Sequence, residues 1–302
     1  MKNTMIALLL ATCLAVPSLS AQVKAYNNGT TEFVPPGTTF ELTANDQLIG
    51  VAKTQYTING GEALEYSEPL VFNDEGRFTV TYWSEDLLGN VSAPQMFTFT
   101  VDTTAPTLKS ATRGVSLVKD GVVYLKSITG ILLAANDAGA GVEATYFSLD
   151  KENYIKFNEE AFVSEEGERS AWAYAVDRVG NKSEPIEIQL VVDNSAPAVS
   201  IVPLDPLQAV RGDRYAKPGN SFIINAVDEV SGVKFTEVSI NRHEYFTYNE
   251  PILLTEAGEY SIRARSTDNL GNVSPLVELN FLVDGGSPNT TIGKPVVPEV
   301  AP

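Results

Sequence analysis

Residues 84–92 read Ser-Glu-Asp-Leu-Leu-Gly-Asn-Val-Ser, and near copies of this stretch return at residues 175–183 and 266–274. Asp177 follows Asp86 after 91 positions, and Asp268 follows after another 91. Because this register holds without a gap from Asp46 to Pro288, the sequence predicts one structural unit that is present three times. Other matched sets at the same spacing are Asp46, Asp137 and Asp228; Gly50, Gly141 and Gly232; Gly76, Gly167 and Gly258; Asp102, Asp193 and Asp284; and Pro106, Pro197 and Pro288.

Between these turn residues, apolar and polar side chains alternate in short runs. Phe40, Leu42 and Ala44 form one such run, and Val80, Tyr82 and Ser84 form another. A period of two with aromatic and β-branched residues is typical of strands that bury one face. No segment shows a helical period. We therefore predict an all-β fold, with three tandem immunoglobulin-like antiparallel β-sandwich domains of about seven strands each after a signal peptide.

The domain boundaries follow from the repeat and from the start of the chain. Lys2, the short apolar run Met5–Val16 and the small residues at 18–21 are typical of a signal peptide. Each repeat ends in a proline, which stops a strand and stiffens the linker. The predicted segments are a signal peptide at 1–21, a first repeat at 22–106, a second repeat at 107–197, a third repeat at 198–288, and a disordered proline-rich tail at 289–302.

The first repeat is shorter than the other two. Residue 22 corresponds to residue 113, so no residues match the start of the second repeat at 107–112. Most of the first strand of this repeat is therefore predicted to be missing from the processed chain. The loss of that strand exposes a sheet edge, with which a partner chain can pair.

Composition narrows the possible partners. The chain of 302 residues has a net charge of −17, which repels nucleic acid and anionic lipid surfaces and suits an exported protein. Its single cysteine, Cys13, lies in the predicted signal peptide, so the processed chain is expected to have no disulfide. No later run is long and apolar enough for a transmembrane segment. The expected location is periplasmic, on the cell surface or secreted.

Acidic residues are expected to meet where the repeats join. In an immunoglobulin-like sandwich, two of the acidic loops of each repeat lie at the end that the incoming linker reaches. Three converging carboxylates suit calcium, a hard cation that prefers oxygen ligands. The alternative is plain turn chemistry, in which aspartate accepts bonds from backbone amides and glycine supplies a positive φ. The candidate ligands are Asp102, Asp137 and Asp177 at one linker, and Asp193, Asp228 and Asp268 at the other.

A second candidate site is aromatic. The predicted register places Tyr146, Trp172 and Tyr174 on neighbouring strands of the second repeat, facing away from the core. Such a face can stack against sugar rings or bind a partner protein. Ordinary cross-strand packing is the alternative.

Catalysis has little support. His243 is the only histidine and lies at a predicted turn, and the paired carboxylates recur in all three repeats, which favours a role in the fold. The tripeptide Arg211-Gly212-Asp213 resembles an integrin-recognition motif, but its composition is also typical of a turn. We predict that the protein is not an enzyme.

The third repeat shows a characteristic set of residues: Asp228, Ser231-Gly232-Val233, Val238-Ser239-Ile240-Asn241, Tyr248, Gly258, Asp268 to Ser274, and Val283-Asp284. In these residues the repeat resembles a known family, the bacterial Ig-like repeats named after a leptospiral outer-membrane protein. The resemblance implies an immunoglobulin-like fold and a role as a spacer, an adhesin or an appendage of an enzyme. We therefore predict an exported, non-enzymatic spacer or adhesion module, with a carbohydrate-binding accessory protein as the alternative.

Overall fold

The computed structural model describes residues 24–293, and this part of the chain consists of strands and turns without a helix. The predicted signal peptide and residues 294–302 lie outside the described residues. The strands of the first repeat are β1 (Tyr26–Asn27), β2 (Glu32–Val34), β3 (Thr38–Phe40), β4 (Val51–Ile58), β5 (Leu64–Glu65), β6 (Leu70–Phe72), β7 (Gly76–Asp86) and β8 (Gln95–Val101).

The strands of the other two repeats follow a similar order, with one additional strand at the start of each repeat. Those of the second repeat are β9 (Thr107–Arg113), β10 (Ser116–Lys119), β11 (Val122–Leu125), β12 (Gly130–Asn136), β13 (Val142–Ser148), β14 (Ile155–Phe157), β15 (Gly167–Asp177) and β16 (Ile186–Val192). Those of the third repeat are β17 (Ala198–Pro203), β18 (Gln208–Val210), β19 (Asp213–Ala216), β20 (Asn220–Val227), β21 (Val233–Ile240), β22 (Phe246–Thr247), β23 (Ile252–Leu254), β24 (Gly258–Asp268) and β25 (Val277–Val283).

The chain divides into two compact units. One unit contains the residues up to Gly114, Thr129–Val163 and Glu168–Leu190, which are the first repeat and most of the second. The other contains Val115–Ile128, Ser164–Gly167 and the chain from Val191 onward, and so includes the whole third repeat.

The first and third repeats each combine a large sheet with a small one. In the first repeat the large sheet has the order β1-β2-β8-β7-β4-β5, and the small sheet pairs β3 with β6. In the third repeat the order is β18-β19-β25-β24-β21-β22, beside a small sheet of β17, β20 and β23. In the first unit, the second repeat contributes the pair β9 and β12 and the row β15-β13-β14.

The expectation of purely antiparallel sheets is wrong at one position of the large sheets. Strand β2 runs parallel to β8, with Val34 opposite Val101, and β19 runs parallel to β25, with Ala216 opposite Val283. The reason is the hairpin at the start of the repeat, β1 and β2 or β18 and β19. The second strand of this hairpin joins the large sheet beside the last strand of the repeat, and the two strands run in the same direction.

Hydrophobic cores lie within single repeats. The core of the first repeat is formed by residues from Val34 to Val101, and Phe99 at its centre is fully buried. The core of the third repeat lies between Val199 and Val283, with Phe222 and Ile262 fully buried. Burial of each such side chain contributes about 1.5–3 kcal/mol. The alternation predicted for the long strand is complete in β15 and β24, where every second residue from Ala171 to Asp177 and from Ile262 to Asp268 is buried. In β7 only Val80 and Ser84 are buried, and Tyr82 is half-buried.

The repeated motif closes the hairpin that follows the long strand. In the third repeat, Oδ1 of Asp268 accepts bonds from the amides of Leu270 and Asn272, at 2.9 and 2.7 Å. Gly271 adopts a φ of 83°, which glycine tolerates at no cost. The hydroxyl of Ser274 accepts a bond from the Ser266 amide at 2.9 Å. These contacts explain why Asp, Gly, Asn and Ser recur together.

The first repeat differs from the others at one strand. Strand β12 pairs with β9 from Gly130 to Asn136, and β20 pairs with β17 from Phe222 to Val227. The corresponding strand β3 ends at Phe40, although the sequence predicts a strand to Ala44. Leu42 is still buried in the core at 9% exposure. A strand needs a paired neighbour, and the described residues of the first repeat contain no equivalent of β9 or β17.

Candidate metal sites

Two clusters of three carboxylates lie where a linker enters a repeat. The first cluster contains Asp102, Asp137 and Asp177, and the second contains Asp193, Asp228 and Asp268. In each cluster, one oxygen from every carboxylate lies within 4.8 Å of one from each of the others. The structure therefore brings together the residues that the sequence grouped, and whether they bind a metal stays a prediction.

Backbone contacts on both sides position the linker aspartate of the first cluster. The Asp102 amide donates to the Val34 carbonyl at 3.0 Å, which continues the pairing of the first repeat. Its Oδ2 atom accepts a bond from the Ala140 amide at 2.6 Å. The Asn181 side chain donates to the Asp102 carbonyl at 2.9 Å. Asp102 is thus held by both repeats and is only 1% exposed.

The two loop aspartates of the first cluster accept backbone amides mainly with one oxygen, Oδ1. Asp137 Oδ1 accepts bonds from the amides of Gly139 and Gly141, at 3.1 and 2.7 Å. Its Oδ2 is buried without a hydrogen-bond partner among the described residues. Asp177 Oδ1 accepts three backbone amides, and its Oδ2 accepts only the Asn181 side chain, at 2.7 Å. The backbone of the turn thus uses Oδ1 of both aspartates, and Oδ2 of Asp137 stays without a protein partner.

The second cluster repeats this arrangement. Asp193 Oδ2 accepts a bond from the Ser231 amide at 3.2 Å, and the Asn272 side chain donates to the Asp193 carbonyl at 3.2 Å. Asp228 Oδ1 accepts the Gly232 amide at 2.7 Å. Asp193 and Asp268 are 1% and 0% exposed. Equivalent residues at a spacing of 91 positions therefore make equivalent contacts.

Among the described residues, no cationic side chain pairs with the carboxylates of these clusters. No Lys or Arg side chain forms an ion pair with any of the six carboxylates in residues 24–293. Burial raises the pKa of Asp102; the Ala140 and Thr104 amides oppose this, and the charges of Asp137 and Asp177 raise it further. Like charges in a buried site disfavour ionisation, and a bound cation would reverse this.

The donor set and its spacing fit calcium. Calcium binds oxygen at about 2.3–2.6 Å, so two ligands of one ion can lie up to about 5 Å apart. Carboxylate oxygens within 4.8 Å of one another meet this limit. Calcium requires six to eight oxygens, which the three carboxylates, carbonyl groups and water can supply together.

Within residues 24–293, the first repeat has only two of the three carboxylates. Asp46 and Asp86 occupy the loop positions, and the position 91 residues before Asp102 lies in the predicted signal peptide, outside the described residues. The Ile49 and Leu48 amides lower the pKa of Asp46, and the Asn90 side chain lowers the pKa of Asp86. The turn chemistry alone therefore favours the charged form, and the raised pKa of Asp102 comes from its burial between two other carboxylates.

Several residues that help to form these clusters could not be predicted from the sequence. The sequence does not reveal that the backbone amides of Ala140 and Ser231 take part, because every residue except proline has a backbone N–H. A Cβ atom at Gly139 would overlap the Asp102 carboxylate, so the absent side chain makes room for the linker. Arg178 donates to the Ala140 carbonyl at 3.2 Å and lies 4.8 Å from the Tyr26 ring. The third repeat has asparagine, Asn269, at the position of Arg178, so the repeat pattern does not predict the contacts of Arg178.

The aromatic candidates lie on the predicted face but pack against one another. Tyr146 and Tyr174 are opposite each other on β13 and β15, and their rings stack with centroids 4.9 Å apart. Lys182 Nζ lies 3.7 Å from the Tyr174 ring centroid, and Tyr154 contacts the same ring at 4.8 Å. Burial raises the pKa of Tyr174, and Tyr146 and Tyr154 add to this effect. Little of the Tyr174 ring is left for a sugar.

Trp172 is also half-buried, with Lys151 Nζ 6.0 Å from its ring. Ligand binding by Tyr146, Trp172 and Tyr174 stays a prediction, and cross-strand packing accounts for the contacts of the two tyrosines. Tyr154 was not predicted to contact this face. Its equivalent in the third repeat, Tyr245, makes a cation–π contact with Arg265, the equivalent of Tyr174, at 4.6 Å from the ring centroid.

The remaining motifs lie at turns. Arg211 and Gly212 form the two-residue connection between β18 and β19, with φ values of 53° and 97°. Positive φ at both positions is typical of a type I′ hairpin turn. The His243 amide donates to the Ile240 carbonyl at 3.0 Å, after Asn241 and Arg242 with positive φ.

Comparisons with known proteins give only distant similarities. No protein-family model matches the chain, and no curated protein matches its sequence. Within the described residues, no helix has the length and apolar character required to cross a membrane.

Among solved structures, a bacterial ice-binding adhesin is 14% identical over 83% of this chain and 92% of its own, with a TM-score of 0.41. The fibronectin(III)-like modules of Clostridium thermocellum CbhA are 14% identical over 56% of this chain and 93% of their own, with a TM-score of 0.32. A glucan-binding protein of Bacteroides ovatus is 11% identical over 94% of this chain and 71% of its own, at a TM-score of 0.22. These TM-scores lie below 0.5, so the similarities carry no argument about what this chain binds.

Proposed function

We propose that the chain is an exported, non-enzymatic protein of three Ig-like repeats. It acts as a spacer or adhesion module of the cell surface or periplasm, and calcium stiffens the junctions between its repeats. Its repeats are of the type that the leptospiral family resemblance implies. The observation that carries this proposal is the recurring junction in which a linker aspartate meets two loop aspartates of the next repeat.

The linkers are held by many polar contacts. At the first junction, Glu75 accepts bonds from the Thr103 amide and from the hydroxyls of Thr103 and Thr104. At the second junction, Asn194 Oδ1 accepts bonds from the amide and hydroxyl of Ser127, at 3.0 and 2.9 Å. These contacts hold the start of each linker on the repeat that precedes it.

Calcium would remove the main electrostatic weakness of these junctions. Each cluster places up to three negative charges together, and two of the three side chains are almost completely buried. A cation bound there links the loops of one repeat to the linker from the preceding one. Because the ion binds the assembled junction and not the unfolded chain, it stabilises the folded protein by mass action.

The test is thermal unfolding of the processed chain with a chelator and with calcium, at a concentration where light scattering shows a monomer. At about 10 mM calcium, a site with a Kd of about 0.1 mM gains about 2.7 kcal/mol, a rise of several degrees in Tm. Asp268→Asn should reduce this rise, because it removes a carboxylate from a complete cluster.

Asp86→Asn is the matched control. Asp86 makes the same turn contacts with Leu88 and Asn90 as Asp268 makes with Leu270 and Asn272. Its cluster lacks the linker carboxylate, so this variant should keep the full calcium response. An unchanged Tm of the unmodified chain at millimolar calcium would refute the calcium component.

A further inference from the structure

A polar groove of about 820 Å³ lies on the large sheet of the third repeat, beside the start of the long strand β24. Its size is within the range of ligand-binding sites. Two turns border it, one that connects β18 to β19 and one that follows β21. We call it the third-repeat groove; the polar residues that line it include Asp213, Arg214, Arg242, Glu259, Glu278 and Asn280.

Both bordering turns place an arginine in the left-handed region of the backbone. The φ value is 61° at Arg242 and 53° at Arg211. This conformation is sterically unfavourable for a long side chain, and glycine, asparagine and aspartate adopt it more easily. The first repeat has Gly60 at the position of Arg242, and the second has Asp120 at the position of Arg211. Two strained arginines at one groove indicate a function for their side chains.

The hydrogen-bond donors of the groove are largely unused by the protein. Within residues 24–293, the exposed side chains of Arg214 and Asn280 form no hydrogen bond or ion pair. Arg242 has one ionic contact in this part of the chain, with Glu278 at the long distance of 3.9 Å, and its side chain is 70% exposed. Guanidinium and amide groups are therefore available to a ligand.

The groove also contains acceptors. Glu278 accepts bonds from the Arg263 side chain at 3.1 Å and from the Ser261 hydroxyl at 2.7 Å. These contacts lower the pKa of Glu278, so the carboxylate is charged at neutral pH. Asp213 and Glu259 add two further carboxylates to the lining. Cationic donors and anionic acceptors therefore lie side by side.

This mixed lining restricts the class of ligand. A ligand that carries many charges of one sign would meet like charges in the groove, whereas a hydroxyl group can both donate and accept. An extended peptide is recognised mainly by strand addition at a sheet edge. Strand β24 is paired on both sides, with β21 and β25, so its backbone is not available for that mode. Recognition on this face depends on side chains.

We propose that the third-repeat groove binds an uncharged oligosaccharide. Arg214, Arg242 and Asn280 donate hydrogen bonds to the sugar oxygens, and the carboxylates accept bonds from the sugar hydroxyls. The other repeats have a different set at the positions of these three donors. The equivalent residues are Val123, Lys151 and Gln189 in the second repeat, and Glu32, Gly60 and Thr98 in the first.

This inference goes beyond the proposed junction chemistry and does not depend on it. Ser261, which lines the groove, and Asp268 of the second acidic cluster are seven residues apart on β24. That separation corresponds to about 23 Å along a strand. We therefore expect oligosaccharide binding to be the same in calcium and in a chelator, so that either proposal can fail without the other.

A glycan array that carries neutral and acidic oligosaccharides is the first test, with the chain applied in a chelator. We expect retention on neutral glycans. Titration calorimetry with the best neutral glycan then compares variants, and Arg242→Gly should weaken binding by about tenfold or more. The Tm of this variant should be unchanged or higher, because glycine suits the positive φ of that turn. Weaker binding without weaker folding separates recognition from a structural role.

Lys151→Gly is the matched control. It makes the same substitution at the equivalent turn of the second repeat, where Lys151 has a φ of 66°. This variant should keep the full affinity for the glycan. Asn280→Ala tests the groove from strand β25, and it should weaken binding severalfold at an unchanged Tm, because the side chain is exposed.

Three results would overturn the proposal. The first is an array on which no neutral glycan is retained. The second is retention of acidic glycans alone. The third is equal affinity of Arg242→Gly and Lys151→Gly for the neutral glycan, which would place its binding outside the third-repeat groove.

Discussion

Aspartates at different positions of the repeat have different electrostatics. The side chain of Asp86 is hydrogen-bonded to Asn90, which lowers the pKa of the carboxyl group. Asp102 also accepts two backbone amides, yet burial and the neighbouring carboxylates raise its pKa. Hydrogen bonds from the turn favour the charged form, and burial beside like charges opposes it. A bound cation is therefore expected to stabilise the charged form of the linker aspartate more than that of an exposed turn aspartate.

The raised pKa of Asp102 predicts a pH effect in calcium-free buffer. Its ordinary value is 3.8 and the folded value is higher, so its contribution to stability is present below pH 3.8 and is lost as pH rises through the folded value. On acidification from neutral pH to about pH 4, the unmodified chain should gain Tm relative to Asp102→Asn. Thermal unfolding of both proteins over this range measures the difference.

The same measurement in calcium provides the control. A bound cation keeps the carboxylates ionised, so the relative gain on acidification should become smaller. A Tm difference between the two proteins that is independent of pH in calcium-free buffer would contradict this account of Asp102.

At the scale of single elements, the repeats keep the hairpin turn and vary the outer face. One cross-strand pair on the central strands differs in each repeat: it is Gln55 with Trp83 in the first, Tyr146 with Tyr174 in the second, and Glu237 with Arg265 in the third. The last pair is an ion pair at 2.9 Å, whereas the second is a ring stack. Either type of cross-strand contact stabilises a sheet. Variation here does not disturb the fold, because the opposite face of these strands forms the core.

The serine of the motif is conserved between the repeats because its hydroxyl closes the hairpin. Ser183 Oγ accepts the Ala175 amide at 2.9 Å in a buried position, and Ser92 and Ser274 make the same bond. Ser183→Ala removes the acceptor of a buried amide and should lower the free energy of unfolding by about 1–2 kcal/mol. Denaturant unfolding followed by circular dichroism measures this loss.

Ser170→Ala, on strand β15, is the matched variant. Its hydroxyl donates to Glu187 at an exposed position, at 2.9 Å, so its loss should change stability by less than about 0.5 kcal/mol. Equal effects of the two substitutions would show that the buried hydrogen bond does not stabilise the hairpin.

For the whole molecule, the position of the cores predicts independent folding of the repeats. All residues of the third core lie between Val199 and Val283, inside the predicted domain 198–288. A fragment of residues 192–288 should therefore unfold cooperatively, with the circular dichroism spectrum of a β protein. It contains all three carboxylates of the second cluster, so calcium should raise its Tm.

A shorter fragment of residues 198–288 tests the role of the linker. It retains the core but lacks Asp193, and we expect it to fold with little response to calcium. A longer fragment that stays unfolded would refute the predicted domain boundary. Equal calcium responses of the two fragments would exclude Asp193 as a ligand.

The sequence by itself determined the strands, the threefold repeat and the grouping of the six aspartates. A spacing of 91 positions and a period of two are local signals, and turn chemistry makes Asp, Gly and Asn visible wherever the chain reverses. It also indicated the outward direction of Tyr146, Trp172 and Tyr174, since side chains alternate along a strand.

Only the tertiary structure decided how these residues meet. The parallel pairing of β2 with β8 depends on where a hairpin docks, and the end of β3 at Phe40 depends on a missing neighbour. The stacking of Tyr146 on Tyr174 and the buried Asp137 oxygen depend on distances between segments far apart in sequence. A sequence pattern records which residues can pair or pack, but burial and partnership are set by the other segments that the fold brings beside them.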